Sequence, residues 1–191
     1  IVPHATIVVG GPAGTVEPAR VVRATNCDHL VLGEGEESLP HLIARLEAGE
    51  VVSRIVGADE KNMPFRVVNT SALPAPALHR WVNNFAPYLR GDAGYPVQTK
   101  RGCPLKCTYC TYGRIEGVRY RFLNPNAIAD EIEGALSRGI RDFEFVDSTF
   151  NLPVNHALEV LRTLRGRSLQ ANYIGTGLNP RQLPDELLDS M

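Results

Sequence analysis

Pro96-Val-Gln-Thr-Lys-Arg-Gly-Cys-Pro-Leu-Lys-Cys-Thr-Tyr-Cys110 runs from a predicted strand, Pro96–Lys100, into a loop with Cys103, Cys107 and Cys110 in the spacing Cys-x3-Cys-x2-Cys. Three thiols so close together do not resemble a disulfide framework, and they point to metal or redox chemistry. Thiolate is the donor that iron–sulfur clusters prefer, and a compact loop can aim three of them at one cube. Three ligands leave one iron of a 4Fe–4S cluster open. A closed structural zinc site uses four protein ligands, and no fourth stands nearby: the nearest histidines along the chain are His79 and His156, and Cys27 is expected to lie in a different, N-terminal structural unit.

Downstream, the pattern alternates strand and helix. Asn124 as N-cap and Pro125 at the first helical position predict a helix with Ile128, Ile132 and Leu136 on one side and Gly139 as its stop. Phe143–Val146 is predicted as a strand ending at Asp147. Pro153 opens a second helix with Val154, Leu158, Leu161 and Leu164 inward and Gly166 after it. Asn172–Ile174 is a third strand, and Asp185 begins a third helix. Three strand–helix units in series read as part of a parallel barrel, in which chemistry sits beyond the C-terminal strand ends. The cysteine loop and Asp147 both fall at that edge.

Upstream, Ala5–Val9 is a short apolar run that ends in Gly10-Gly11, the form of a parallel strand entering a tight turn. Pro18 opens a helix through about Ala24, and His29–Leu32 is a second buried strand, closed by Gly33-Glu34-Gly35-Glu36. Leu39, Leu42, Ile43 and Leu46 recur at helical spacing, with Gly49 as the stop. This is the grammar of a doubly wound sheet. Two strands cannot make such a domain alone, the chain opens at Ile1 without Met, and Asp185–Met191 reads as a helix cut in mid-course. A piece of a longer protein is therefore expected. Val51–Val56 is a candidate further strand. Between Val51 and Tyr95, Pro64, Pro74, Pro76 and Pro87 punctuate the chain as a linker. Trp81, Phe85 and Tyr88 are expected to pin that linker onto a neighbour.

Composition narrows the class. Of 191 residues, 43% are hydrophobic and 21% charged, normal for a globular protein with a core. A net charge of −1 gives no global basic field, so nucleic acid is not an expected partner. Apolar runs such as Ala5–Val9 fall far short of a membrane span, no secretory signal opens the chain, and the expected location is cytoplasmic.

The cysteine motif, with the aromatic Tyr109 immediately before its last cysteine, resembles that of the radical S-adenosylmethionine (SAM) superfamily, over about Tyr95–Met191. The resemblance implies the first three units of a partial (β/α)6 barrel over 95–191. It implies a 4Fe–4S cluster on Cys103, Cys107 and Cys110, with SAM on the open iron and reductive cleavage to a 5′-deoxyadenosyl radical. Tyr109 would lie against the adenine, and Asp147 with Ser148 would meet the SAM amino group. The alternative for Asp147-Ser148-Thr149 is a helix-capping turn.

Residues 1–56 resemble the C-terminal half of the Rossmann-like cobalamin-binding domain that precedes the barrel in one subgroup, with 57–94 as the proline-rich linker. In that family a Gly-Gly turn lines the pocket for the cobalamin tail. Gly10, Gly11, Gly33, Glu34 and Gly35 are the residues so implied. The upstream cobalt-ligand segment Asp-x-His-x-x-Gly is absent from this sequence, and His4 and His29 are read as structural. Glu34 and Glu36 have a second reading as helix caps, and Cys27 reads as a small buried hydrophobe.

The function implied is methyl transfer to an unactivated carbon or phosphorus on a small-molecule or peptide substrate. The alternatives are a non-methylating radical rearrangement, a methylthiotransferase, or a metal-binding module without catalysis. Lys100, Arg101, Lys106, Arg114, Arg119 and Arg121 stand against one acid, Glu116, between Lys100 and Arg121. They read either as a dock for an acidic electron donor such as flavodoxin or ferredoxin, or as a solvated loop.

Overall fold

The computed structural model describes residues 4–57, 67–87 and 93–191, and short strands alternate with helices along them. In chain order these are β1 (Val8–Val9), α1 (Pro12–Val16), α2 (Pro18–Thr25), β2 (His29–Val31), α3 (Gly35–Glu47), β3 (Ile55–Val56), α4 (Leu78–Trp81), β4 (Tyr95–Val97), β5 (Lys100–Arg101), α5 (Tyr112–Ile115), β6 (Arg121–Phe122), α6 (Pro125–Ser137), β7 (Asp142–Phe145), α7 (Val154–Gly166), β8 (Asn172–Gly175) and α8 (Asp185–Ser190), with a 3-10 turn at Thr70–Ala72. Contacts divide the chain into two compact units. One is the segment up to Val68 with Gly102–Arg119; the other is Asn69–Arg101 with Tyr120–Met191. The cysteine loop thus groups with the N-terminal segment.

The first unit is built on a parallel sheet in the order β1-β2-β3, with Val8 opposite His29 and Leu30 opposite Ile55. β2 is buried throughout, and Cys27, Leu30 and Leu32 form a small core with Val9, Val21 and Val22. The expected strand Ala5–Val9 shrinks to β1. Ile7 instead donates its N–H to the Asp28 carboxylate at 2.8 Å and accepts the Asp28 and His29 N–H groups. Helix α1 was not legible in the sequence. Gly11, at φ 93°, caps it, and Pro12 takes its first position, where a missing N–H costs nothing. Helix α3 continues through Pro40 and ends where Gly49 adopts φ 74°. Its expected inward face is corrected: Leu42 is buried, whereas Leu39 and Ile43 are 38% and 45% exposed. The three strands beneath α3 are two or three residues long, and they cover only its Leu42 side.

The second unit holds a parallel sheet in the order β4-β7-β8. Tyr95 lies opposite Phe143 and Phe143 opposite Tyr173, so inward residues of the three strands align. Helix α6 starts as its sequence predicts, with the Asn124 side chain accepting the Asn126 N–H at 2.9 Å and Pro125 at the first position. Ile128, Ala129, Ile132 and Ala135 bury completely or nearly so, and Leu158, Leu161 and Leu164 do the same from α7. Each large side chain so placed contributes about 1.5–3 kcal/mol relative to exposure. Phe145 stacks on Phe150 at 4.3 Å and on Tyr173 at 5.8 Å.

The expected strand Pro96–Lys100 proves to be two. β4 pairs with β7, while β5 forms an antiparallel ribbon with β6, Lys100 opposite Phe122. The chain changes partner at Gln98–Thr99, where Thr99 gives its N–H to Asp147.

The linker is held by a group that the sequence did not announce. Glu131 of α6 is 3% exposed, and its carboxylate accepts the Ala77 and Leu78 N–H groups and the Tyr95 hydroxyl. Phe85 packs on the core as expected and Leu78 joins it, whereas Trp81 departs from the expectation at 79% exposed. Pro64 and Tyr88 lie outside the described residues. No helix among the described residues is long and apolar enough to cross a membrane.

Candidate metal centre

The cysteine loop leaves β5 at Gly102 and returns at Arg119, and its neck is closed by one backbone and one side-chain acceptor. Cys103 donates its N–H to the Gly117 carbonyl at 3.0 Å, and Gly102 donates to the Glu116 carboxylate at 3.0 Å. Gly102 has φ 83°, and a β-carbon there would stand 2.0 Å from the Arg119 carbonyl oxygen. Only glycine satisfies both demands. Past the neck, Cys103 is buried, whereas Cys107 and Cys110 are exposed. A turn joins the latter two through Cys110 N–H to the Cys107 carbonyl at 3.2 Å. All three are free thiols. Tyr109, on that turn, is 88% exposed.

The chemistry of this donor set fits an iron–sulfur cluster. Three thiols sit on one closed loop, two of them at its surface, and none is consumed by a disulfide. Among the described residues, no three His, Cys, Asp or Glu side chains converge to the spacing of a bound metal ion. The loop thus carries the three candidate thiols close in sequence without holding them at coordination distance. Cys27 belongs to the same compact unit as the triad, contrary to the expectation that it lies in the other one. What sets it apart is its burial, at 0% exposure within the Leu30 cluster.

The two glycine turns of the first unit are brought together by a residue the sequence reading missed. The Thr15 hydroxyl donates to the Gly11 carbonyl at 3.2 Å and accepts the Gly33 N–H at 2.9 Å. Thr15 was hidden by its place in the short helix α1. A β-carbon on Gly35 would meet nothing within 4 Å, and one on Gly10 would meet Val31 only at ordinary contact distances of 3.6 and 3.9 Å. The packing of the chain itself does not demand glycine at either position. Gly11 differs, because its φ of 93° calls for glycine by itself. Glu34 caps no helix amide with its side chain; its carboxylate accepts the Val68 N–H at 2.6 Å. His29 is structural, with Nδ1 3.1 Å from the Ser53 carbonyl. His4 is exposed.

At the end of β7, Asp147 is neither a helix cap nor an open ligand. Its carboxylate has no exposure and accepts the Thr99 N–H at 2.8 Å, the Thr99 hydroxyl at 2.5 Å, the Lys100 N–H at 3.2 Å and the Lys100 ammonium at 3.0 Å. Lys100 Nζ also donates to the Phe150 carbonyl at 3.1 Å and stands 5.9 and 5.8 Å from the Tyr120 and Phe150 ring centroids. Lys100 is therefore no part of a surface dock, although Lys106, Arg114 and Arg119 are exposed. Ser148 is half-buried beside this pair. Gly177 backs the same turn: a β-carbon there would come within 2.9 Å of the Asp147 carbonyl oxygen. His156 closes the group, with Nε2 3.0 Å from the Thr99 carbonyl. Burial holds its imidazole below the ordinary histidine pKa, and the Lys100 charge acts the same way.

Comparison with known proteins agrees with the motif. Residues 97–191 match the model of the radical SAM superfamily. An uncharacterized methyltransferase of Pyrococcus horikoshii is 29% identical over 181 residues, covering 87% of this chain and 38% of that protein. The cobalamin-dependent radical SAM methyltransferase TokK of Streptomyces tokunonensis is 27% identical over 194 residues, 90% of this chain and 28% of its own. In fold, the chain is similar to the radical SAM methyltransferase TsrM of Kitasatospora setae, solved with cobalamin and a [4Fe-4S] cluster bound. The TM-score is 0.75 at 22% identity, over 97% of this chain and 40% of that one. The chain thus spans between about a quarter and two fifths of the length of these relatives. With the three-thiol loop inside the matched segment, the chain belongs to the radical SAM superfamily.

Proposed function

We propose that the natural protein is a cobalamin-dependent radical SAM methyltransferase acting on carbon or phosphorus. In this reading residues 1–56 are the C-terminal half of a cobalamin-binding domain, and 95–191 are the first three units of a partial barrel. The observation that carries the proposal lies in the first unit. Two glycine turns, joined by Thr15, leave room for a β-carbon at Gly10 and Gly35 that the chain does not use. Similarity to TokK over 90% of the chain supports the same reading.

Cys103, Cys107 and Cys110 would hold a 4Fe–4S cluster, which supplies the electron that cleaves SAM. A cobalamin beside Gly10, Gly11, Gly33 and Gly35 would supply the methyl carrier. The residues themselves do the rest. The Gly102 neck keeps the cysteine loop closed, and Thr15 fixes the two glycine turns against each other. Tyr109 offers an exposed aromatic face for the adenine of SAM. The Asp147 carboxylate is committed to Thr99 and Lys100, so Ser148, half-buried beside it, is the better placed of the two to meet SAM. Lys106, Arg114 and Arg119 form the exposed basic surface that an acidic electron donor would use.

The test is cofactor content of the anaerobically purified natural protein. It should carry iron and, as isolated or after loading, show cobalamin absorbance. Gly10→Val should lower cobalamin occupancy while leaving iron unchanged, because a β-carbon there meets only ordinary contacts within the chain. A protein that holds iron yet takes up no cobalamin would defeat the methyl-transfer reading.

A further inference from the structure

We propose that Glu116 is a positioning residue for the cluster, acting through the neck of the cysteine loop. The inference rests on the reading that Cys103, Cys107 and Cys110 are the cluster ligands. Glu116 is the only acid between Lys100 and Arg121, and it stands where helix α5 ends. A carboxylate gains nothing from the C-terminal end of a helix, where the backbone dipole favours cations. Glu116 accepts the N–H of Gly102, the residue directly before Cys103.

That contact makes one side of a closed ring. Gly102 N–H meets the Glu116 carboxylate at 3.0 Å, and the next amide, Cys103 N–H, meets the Gly117 carbonyl at 3.0 Å. Two successive amides are thus fixed on two successive residues, Glu116 and Gly117, of the returning arm of the loop. The Arg119 carbonyl closes the ring over the Cα of Gly102, where a β-carbon would stand 2.0 Å away. Cys103 is the ligand at this neck and is 6% exposed, whereas Cys107 and Cys110 lie on the exposed outer turn. Because the outer turn is joined to the neck by only a few residues, Cys103 is the fixed member of the triad and Glu116 sets its place. A charge-assisted bond to a backbone N–H is stronger than a neutral one, and net charge is one of the factors that set an iron–sulfur potential, so removing this carboxylate's charge should raise it.

The experiment compares the natural protein with its E116Q, E116A and C103A forms after anaerobic reconstitution. Iron per chain, the cluster midpoint potential and the paramagnetic resonance response to SAM are read. E116Q keeps an acceptor for the Gly102 N–H but loses the charge. It should hold iron close to the unaltered protein, with its potential shifted to a less negative value. E116A should lose at least threefold in iron per chain, and the cluster it retains should respond more weakly to SAM. A fold defect alone would not move the potential of a fully loaded E116Q protein. E116A with full iron, unchanged potential and unchanged SAM response would overturn the proposal while leaving the ligand reading intact. E116Q as depleted as E116A would overturn it as well, since the acceptor would not suffice. Should E116A not fold, hydrogen exchange on the unaltered protein decides: slow exchange at the Gly102 and Cys103 amides supports the neck, and fast exchange overturns it. An unaltered protein that takes up no iron, like C103A, would instead defeat the cluster reading itself.

Discussion

Removing one charge of the Lys100–Asp147 pair should cost far more than removing both. Neither side chain has any exposure, so each charge is desolvated and depends on the other. Breaking a buried pair by deleting one partner typically costs about 3–5 kcal/mol, because an uncompensated charge remains. The structure ranks the two deletions. In Lys100→Met the Asp147 carboxylate keeps the Thr99 N–H, the Thr99 hydroxyl and the Lys100 N–H, so the loss should be about 3 kcal/mol. In Asp147→Asn the ammonium keeps the Phe150 carbonyl and two ring faces but confronts an amide, so the loss should approach about 5 kcal/mol. The double variant has no buried charge and should be more stable than Asp147→Asn, since uncharged replacements of buried pairs are often neutral. Urea unfolding followed by far-ultraviolet circular dichroism reads this directly. With a slope of about 2 kcal/mol per molar, a 3 kcal/mol loss moves the midpoint by about 1.5 M. Single losses below about 1 kcal/mol, or a double variant equal to the sum of the singles within about 0.5 kcal/mol, would show that the two charges do not depend on each other.

Three further outcomes follow from the same contacts. His156 has a lowered pKa in the folded protein because it is buried, so the unfolded chain binds its proton first as pH falls. Its contribution is fully present above about pH 6.5 and declines as pH falls below that value; unfolding midpoints between pH 5 and 8 should show this slope, and H156Q should flatten it. Burial and the adjacent Glu131 carboxylate push the Tyr95 phenol far above its ordinary value, so it stays a donor at every working pH. Tyr95→Phe removes one donor from a buried carboxylate that keeps two backbone N–H groups, and should cost about 1–3 kcal/mol in urea unfolding. Cys27→Ala should leave iron per chain unchanged while Cys107→Ala abolishes it, because Cys27 is enclosed by Leu30 and Leu32; equal iron loss in both would reassign the ligands.

Local signals were legible and long-range ones were not. Helix α6 could be read from Asn124, Pro125 and the Ile128–Ile132 spacing because cap, first turn and stripe lie within one short segment. The triad could be read because three ligands and their spacing occupy one loop. Lys100 could not, since lysine is ordinarily exposed and its partner stands 47 residues away. The same distance effect hid Glu131, which joins α6 to Ala77 and Tyr95. Helix α3 shows a different limit: its period was right, but the side it buries depends on how much sheet lies beneath it. Thr15 carries no motif at all, and its role emerges only where the Gly11 and Gly33 turns meet.

Cys103, Cys107 and Cys110 are proposed to hold a cluster with one iron open to SAM. The paramagnetic resonance spectrum of the reduced natural protein, recorded with and without SAM, tests it most directly. The expected result is a 4Fe–4S signal whose line shape changes when SAM is added and which is absent from the Cys103→Ala form. A signal indifferent to SAM, or a protein that binds zinc in place of the cluster, would contradict it.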